Sequence, residues 1–163
     1  QTTRAKMKKI SVVNSRIHGK GVFATHAIAK GELVGFIKGP VIHKVNNSLR
    51  DTFSNPDWVG FKQNYWTDPL PPFKYLNHSC SANCGIKGTR SLYAIQAIKA
   101  GEEISIDYST TELDENWYLE CSCGSAKCRK EVRSIQSLSK SLFNRYDPYI
   151  PTYHRKFYLV HCI

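Results

Sequence analysis

Cys121, Cys123 and Cys128 put three thiols into eight residues in the pattern Cys-x-Cys-x4-Cys. Sulfurs held this close by local chain suit a metal better than disulfides, and zinc is the metal that takes them. A closed structural zinc site needs four ligands in a tetrahedron, so one must come from elsewhere. Cys80, Cys84, Cys162 and the histidines are the candidates, and spacing does not choose among them. Asn77-His78-Ser79-Cys80 follows the apolar Tyr75-Leu76. It reads as a Cys/His nucleophile pair, half of a metal site, or a polar turn whose bonds are satisfied internally. His18-Gly19-Lys20-Gly21-Val22-Phe23 places glycines where backbone must turn or approach a ligand closely. It lacks the third glycine and the following helix of a dinucleotide fingerprint, which excludes that reading.

The elements that must position these residues are short. Ile10 to Val13, Gly21 to Thr25, Glu32 to Ile37, Pro40 to Lys44, Ser91 to Ile95 and Glu103 to Tyr108 are β-rich runs separated by turn residues. In the last, Ile104, Ile106 and Tyr108 alternate with Ser105 and Asp107, which predicts a strand with one buried face. Residues 45 to 75 mix Pro69, Pro71 and Pro72 with Trp58, Tyr65 and Trp66 and predict an irregular, aromatic-rich insert. Ile135, Leu138 and Leu142 predict one helix capped by Ser134 and ended before Pro148 and Pro151. Phe157 to Val160 reads equally as a docked strand or a helix end.

With 163 residues and 41% hydrophobic content, the chain can bury one core, so one domain is expected. No run approaches the roughly 20 apolar residues of a spanning helix. The formal charge of +10 favours nucleic acid, anionic surfaces or acidic partners, although no block of five like charges occurs. The cysteine usage points to an intracellular, reducing compartment, with nucleus and cytoplasm both open.

Taken in order, Gly-Lys-Gly-Val-Phe, Tyr-Leu-Asn-His-Ser-Cys, Gly101-Glu102-Glu103-Ile104-Ser105-Ile106-Asp107-Tyr108 and Cys-x-Cys-x4-Cys resemble the SET family of protein lysine methyltransferases with its post-SET zinc motif. The resemblance spans roughly residues 8 to 130. It implies a mainly β fold of small curved sheets with a pseudoknot, a zinc-stapled post-SET segment and a C-terminal helix. The expected division is a basic arm at 1–7, the SET domain at 8–110, the post-SET motif at 111–130 and a C-terminal extension, helix plus docked tail, at 131–163.

By the same resemblance, Lys20, Gly21, Val22, Phe23, Asn77, His78 and Tyr108 would hold S-adenosylmethionine, and Tyr108 would align the methyl group with a lysine of a protein substrate, a histone among the candidates. Tyr65, Ile106 and Trp117 would line the lysine channel. Cys80 would be the fourth ligand of a structural zinc with Cys121, Cys123 and Cys128, leaving Cys84 and Cys162 as free thiols. Ile106 stands where many relatives carry Phe or Tyr, which implies a roomier channel open to di- or trimethylation. Lys74-Tyr75 and Lys130 replace the more frequent Arg-Phe and Gly. The competing readings are a non-catalytic SET-like module that binds protein or nucleic acid, and a hydrolase using Cys80 and His78.

Overall fold

The computed structural model describes residues 9–44 and 55–163. The basic arm at 1–7 and the beginning of the insert, 45–54, lie outside the described residues. Among the described residues the strands are β1 (Ile10–Asn14), β2 (Lys20–Ala24), β3 (Leu33–Phe36), β4 (Val41–His43), β5 (Val59–Lys62), β6 (Tyr65–Thr67), β7 (Asn77–His78), β8 (Cys84–Lys87), β9 (Ser91–Ala94), β10 (Glu103–Ile106), β11 (Tyr118–Glu120) and β12 (Glu131–Arg133). Two helices follow, α1 (Lys140–Tyr146) and α2 (Thr152–His161). The strands form a sheet of order β1-β2-β10-β7, two three-stranded sheets of order β3-β9-β8 and β4-β6-β5, and the β11-β12 hairpin. This is the mainly β architecture of small sheets that the sequence implies.

The six β-rich runs each hold a strand, but β10 departs from its expected environment. Ser105 and Asp107 are as buried as Ile104 and Ile106. Both faces of the strand are therefore covered, and the side chain of Asn83 satisfies its backbone by donating to Glu103 O at 2.8 Å and accepting from Ser105 N–H at 3.0 Å. The strand stops at Ile106 because Asp107 turns the chain, its carboxylate accepting the Ser109 N–H at 3.1 Å to cap a 3-10 turn over Tyr108–Thr111. The insert is more regular than expected. β5 and β6 pair across a turn in which Asn64 adopts φ +63°, with a bulge at Gly60/Lys62 that hides the alternation.

The main core joins Val22, Ile104 and Ile106 of the first sheet to Ile86 and Leu92 of the second. Fully burying each such side chain contributes about 1.5–3 kcal/mol. A second core lies under the C-terminal helices, where Phe143 and Tyr158 stack at 4.0 Å and Tyr158 donates to Leu138 O at 2.7 Å. The C-terminal helix is displaced from its expected place. Ser134 makes no side-chain cap, and Ile135–Ser137 is a single 3-10 turn. Helix α1 starts after Ser139, whose hydroxyl accepts the Leu142 N–H at 3.2 Å. Phe157 to Val160 belongs to α2, which settles the open choice as helix.

Helix α2 also carries His154, 1% exposed, with Nδ1 lacking a partner. Burial lowers its pKa from 6.5 to about 3, against a smaller raising effect of its hydrogen bond to the Thr111 backbone. Because the folded value lies below the unfolded one, the unfolded chain binds more protons between them, and stability present above pH 6.5 is lost as pH falls towards 3. The expected result is a melting temperature that declines below pH 6.5 and declines less steeply in His154→Gln. Equal slopes in the two proteins would refute this assignment.

Candidate active site and cysteine cluster

Strand β10 brings distant segments together. It pairs antiparallel with β2, Ile104 opposite Val22, and parallel with β7, Ser105 opposite Asn77 and Ile106 opposite His78. Gly21 leaves room for the Glu103 side chain, since a Cβ there would lie 2.2 Å from Glu103 Oε1. That carboxylate accepts from Ser15 Oγ at 2.8 Å and from Asn77 Nδ2 at 2.8 Å. Asn77 Nδ2 also faces His18 O at 3.2 Å and Lys20 O at 3.0 Å, so one amide fixes the turn in which Gly19 has φ +47°.

Beside this junction is a cleft of about 220 Å³ bordered by His18, Asn77, His78, Tyr108, Leu119 and Cys121, with Asp57 and Glu120 also among its lining residues. Tyr108 donates its hydroxyl to Leu76 O at 2.7 Å. Burial, then the charges of Asp57 and Glu103, push its pKa well above the usual tyrosine value, so the phenol stays neutral. His78 is neutral too, lowered to about 4 by burial, with Asp107 opposing and Arg129 adding to the effect. Its Nδ1 accepts the Tyr108 N–H at 3.1 Å, which assigns the proton to Nε2, 3.3 Å from Cys80 Sγ. The 3.7 Å approach of Nδ1 to Asp107 Oδ1 is therefore not an ion pair, because both atoms are acceptors. The same tautomer removes the Cys80/His78 nucleophile reading, since the nitrogen facing the sulfur is a donor and not a base.

The four sulfurs of Cys80, Cys121, Cys123 and Cys128 lie within 4.8 Å of one another. A zinc–sulfur bond of about 2.3 Å gives a tetrahedron with edges of about 3.8 Å. Cys80 to Cys121 is 3.8 Å and Cys121 to Cys128 is 3.7 Å, so the donors fit that ion. The surroundings suit thiolates, with the Arg129 N–H donating to Cys80 Sγ at 3.3 Å and the Cys80 N–H to Cys123 Sγ at 3.5 Å. Trp117 and Val132 pack beneath as a third small core. Cys84 is fully buried elsewhere and burial pushes its thiol up to about 12, while Cys162 sits beyond α2.

Of the remaining sequence candidates, Lys20, Val22 and Phe23 lie on β2 beside the cleft without lining it; the wall there is Ile17 and His18. Ile106 is 2% exposed in the main core, and Trp117 is 3% exposed beneath the cysteines. Tyr65 stacks on His43 at 4.1 Å in the β4-β6-β5 sheet. None of these three borders the cleft. Arg129, by contrast, was not anticipated. Its guanidinium holds both oxygens of the fully buried Asp107 at 2.7 Å and Ser109 Oγ at 3.2 Å. The Arg129 side chain is 24% exposed while that of Asp107 is fully buried, so the arginine is the counter-ion of a carboxylate shut away from water. Its sequence signal is only its place after the third clustered cysteine.

The model of the SET domain matches residues 19–109, a stretch that contains Gly19–Phe23, Asn77–Cys80 and Asp107–Tyr108. The chain belongs to the SET-domain family. This SET domain is 32% identical over 136 residues to the histone-lysine N-methyltransferase trithorax of Drosophila virilis, and 30% identical over 136 residues to human histone-lysine N-methyltransferase 2B. Both alignments cover 74% of the chain, but only 4% and 5% of those proteins, so the chain spans a small part of the relatives it matches. The crystal structure of KRYPTONITE in complex with mCHG DNA and SAH superimposes with a TM-score of 0.58 over 76% of this chain and 28% of that one. At 20% identity that likeness is one of fold. The cysteine cluster draws its three close ligands from just past the matched segment and its fourth, Cys80, from inside the SET domain.

Proposed function

We propose that this SET domain is a protein-lysine N-methyltransferase that takes its methyl group from S-adenosylmethionine. The observation that carries the reading is a half-buried Tyr108 whose neutral hydroxyl is tied to Leu76 O at a cleft that Asn77 and His78 also border. The names of the relatives support it. Bound S-adenosylmethionine supplies an electrophilic methyl on a sulfonium. A lysine nitrogen aligned with that methyl would form the new bond to carbon as the sulfur–carbon bond broke, and would release its proton to solvent.

Catalysis by the chain is then chiefly alignment. The Tyr108 hydroxyl spends its hydrogen on Leu76 O and keeps its lone pairs for the reacting centre. Asn77 and His78, which border the cleft, contribute polar contacts, while Lys20 to Phe23 stand beside it and brace the His18 turn through the bond from Asn77 Nδ2 to Lys20 O. A free lysine titrates near 10.4, so the amine must be neutralised on entry by the apolar surroundings and the sulfonium charge. Asp57 and Glu120 give the cleft an acidic wall that attracts cations. Glu112 does not join them, for its carboxylate accepts the Leu113 and Asp114 N–H groups at 2.9 and 3.0 Å. Zinc on the four thiolates would leave no open position for water and acts as a structural staple.

The proposed division is a SET domain at 8–110, a post-SET motif at 111–130 and the C-terminal extension. Histones are the proposed substrate class, and the +10 charge favours a DNA-bound form of them, which suits the nucleus. Incubation with labelled S-adenosylmethionine and histone peptides, free histones and nucleosomes tests the whole reading. Label on lysine supports it; no cofactor binding and no label return the non-catalytic module. Ile106 lies in the main core and off the cleft, so the roomier channel implied by the resemblance does not follow from its side chain.

A further inference from the structure

We infer that Arg129 is a positioning residue for Tyr108, forming with His78 a closed ring of contacts between the Cys80 sulfur and the backbone that carries the tyrosine. One arm runs from Cys80 Sγ to His78 Nε2 at 3.3 Å, and from His78 Nδ1 to the Tyr108 N–H at 3.1 Å. The other runs from Cys80 Sγ to the Arg129 N–H at 3.3 Å, then from the guanidinium to both oxygens of Asp107 at 2.7 Å. The arms start on one sulfur and end on adjacent residues.

The second arm is the rigid one. A guanidinium presents two parallel donors in a fixed plane, so a two-point contact sets the orientation of the carboxylate as well as its distance. Asp107 hands that orientation to the backbone, because Oδ1 also accepts the Ser109 N–H at 3.1 Å and its carbonyl accepts the Thr110 N–H at 2.9 Å. Tyr108 is the first residue of the turn these bonds define. A backbone tilt of about 10° there reaches the hydroxyl at the far end of the ring as a shift on the order of 1 Å, enough to misalign a transfer. Arg129 does not line the cleft, and its two-point contact reaches Tyr108 through the neighbouring Asp107. The post-SET segment thus supplies a strut for the tyrosine in addition to three ligands.

The inference rests on the methyltransferase reading for its kinetic test and on geometry alone for its exchange test. Arg129→Gln and Arg129→Lys would be compared with the unaltered chain for zinc content, S-adenosylmethionine affinity, kcat, KM for the substrate, and hydrogen exchange at the Tyr108 amide. The expected result for Arg129→Gln is unchanged zinc, cofactor affinity and KM, with kcat lowered roughly 100-fold and Tyr108 amide exchange at least about 10-fold faster. Arg129→Lys keeps the charge but not the two-point grip, and only partial recovery of kcat is expected. Normal kcat and a protected Tyr108 amide in Arg129→Gln would overturn the inference. So would parallel loss of zinc or of folding in both variants, since Arg129 would then merely support the metal or the fold. If the unaltered chain transfers no methyl group, the proposed function fails, and the amide exchange still decides whether Arg129 holds Tyr108.

Discussion

Tyr108→Phe is expected to lower kcat for methyl transfer by roughly 100- to 1,000-fold, the usual cost of deleting one preorganised polar group from a reacting centre. Binding of S-adenosylmethionine should weaken by only a few-fold, because Asn77, His78 and the 18–23 backbone remain. The substitution removes an oxygen and little volume, so the ring keeps its edge contact with His78 at 5.3 Å. Leu76 O loses its donor at 2.7 Å, which costs about 1 kcal/mol of stability and leaves the fold in place. Single-turnover kinetics beside calorimetric cofactor titration separates the two effects. A fully active Tyr108→Phe protein would remove alignment by this hydroxyl from the mechanism.

Removing zinc is expected to have the broadest effect. Apparent zinc-binding energies at structural thiolate sites are about 10–16 kcal/mol, much of it spent on folding the segments that hold the ligands. Here the ion would join Cys80 to a segment whose first ligand lies 41 residues further along the chain. Leu119 to Cys123 form one wall of the cleft, and the Asp107–Arg129 pair leans on the same segment. Chelation or Cys80→Ser should therefore lower the melting temperature by more than about 10 °C and cut cofactor affinity and turnover together. Cys162→Ser, outside the cluster, serves as the control. Unchanged turnover in protein shown to be free of zinc would refute the staple.

How far the sequence could be read follows from how local each signal is. Cys121, Cys123 and Cys128 announce themselves because their spacing alone brings sulfurs together. Cys80 needed the family resemblance, since nothing local links it to them. The Asp107–Arg129 pair, 22 residues apart, was invisible because a salt bridge has no periodicity. The β5-β6 hairpin was missed because Gly60 and the bulge break the alternation that marks a strand. The helix start was misplaced between two plausible serine caps. Ser134 and Ser139 look alike as residue types, and only the backbone reveals that a lone 3-10 turn follows the first. Tyr65 and Trp117 carry the large aromatic rings a channel would use, but one lies within a sheet and the other under the cysteines.

The pairing of β2 with β10 also has a consequence for how the protein is made. Val22 must wait for Ile104, so about 80 residues emerge from the ribosome before β2 gains its second neighbour. At about 5–20 residues per second that is an interval of roughly 4–16 seconds in which the β1-β2 hairpin presents an open edge. The cysteines from 121 to 128 arrive later still. The nascent chain therefore passes through a period with an unpaired β2 edge and no assembled site, and a ribosome that stalls before Glu103 leaves a product with no route to activity and a template for aggregation.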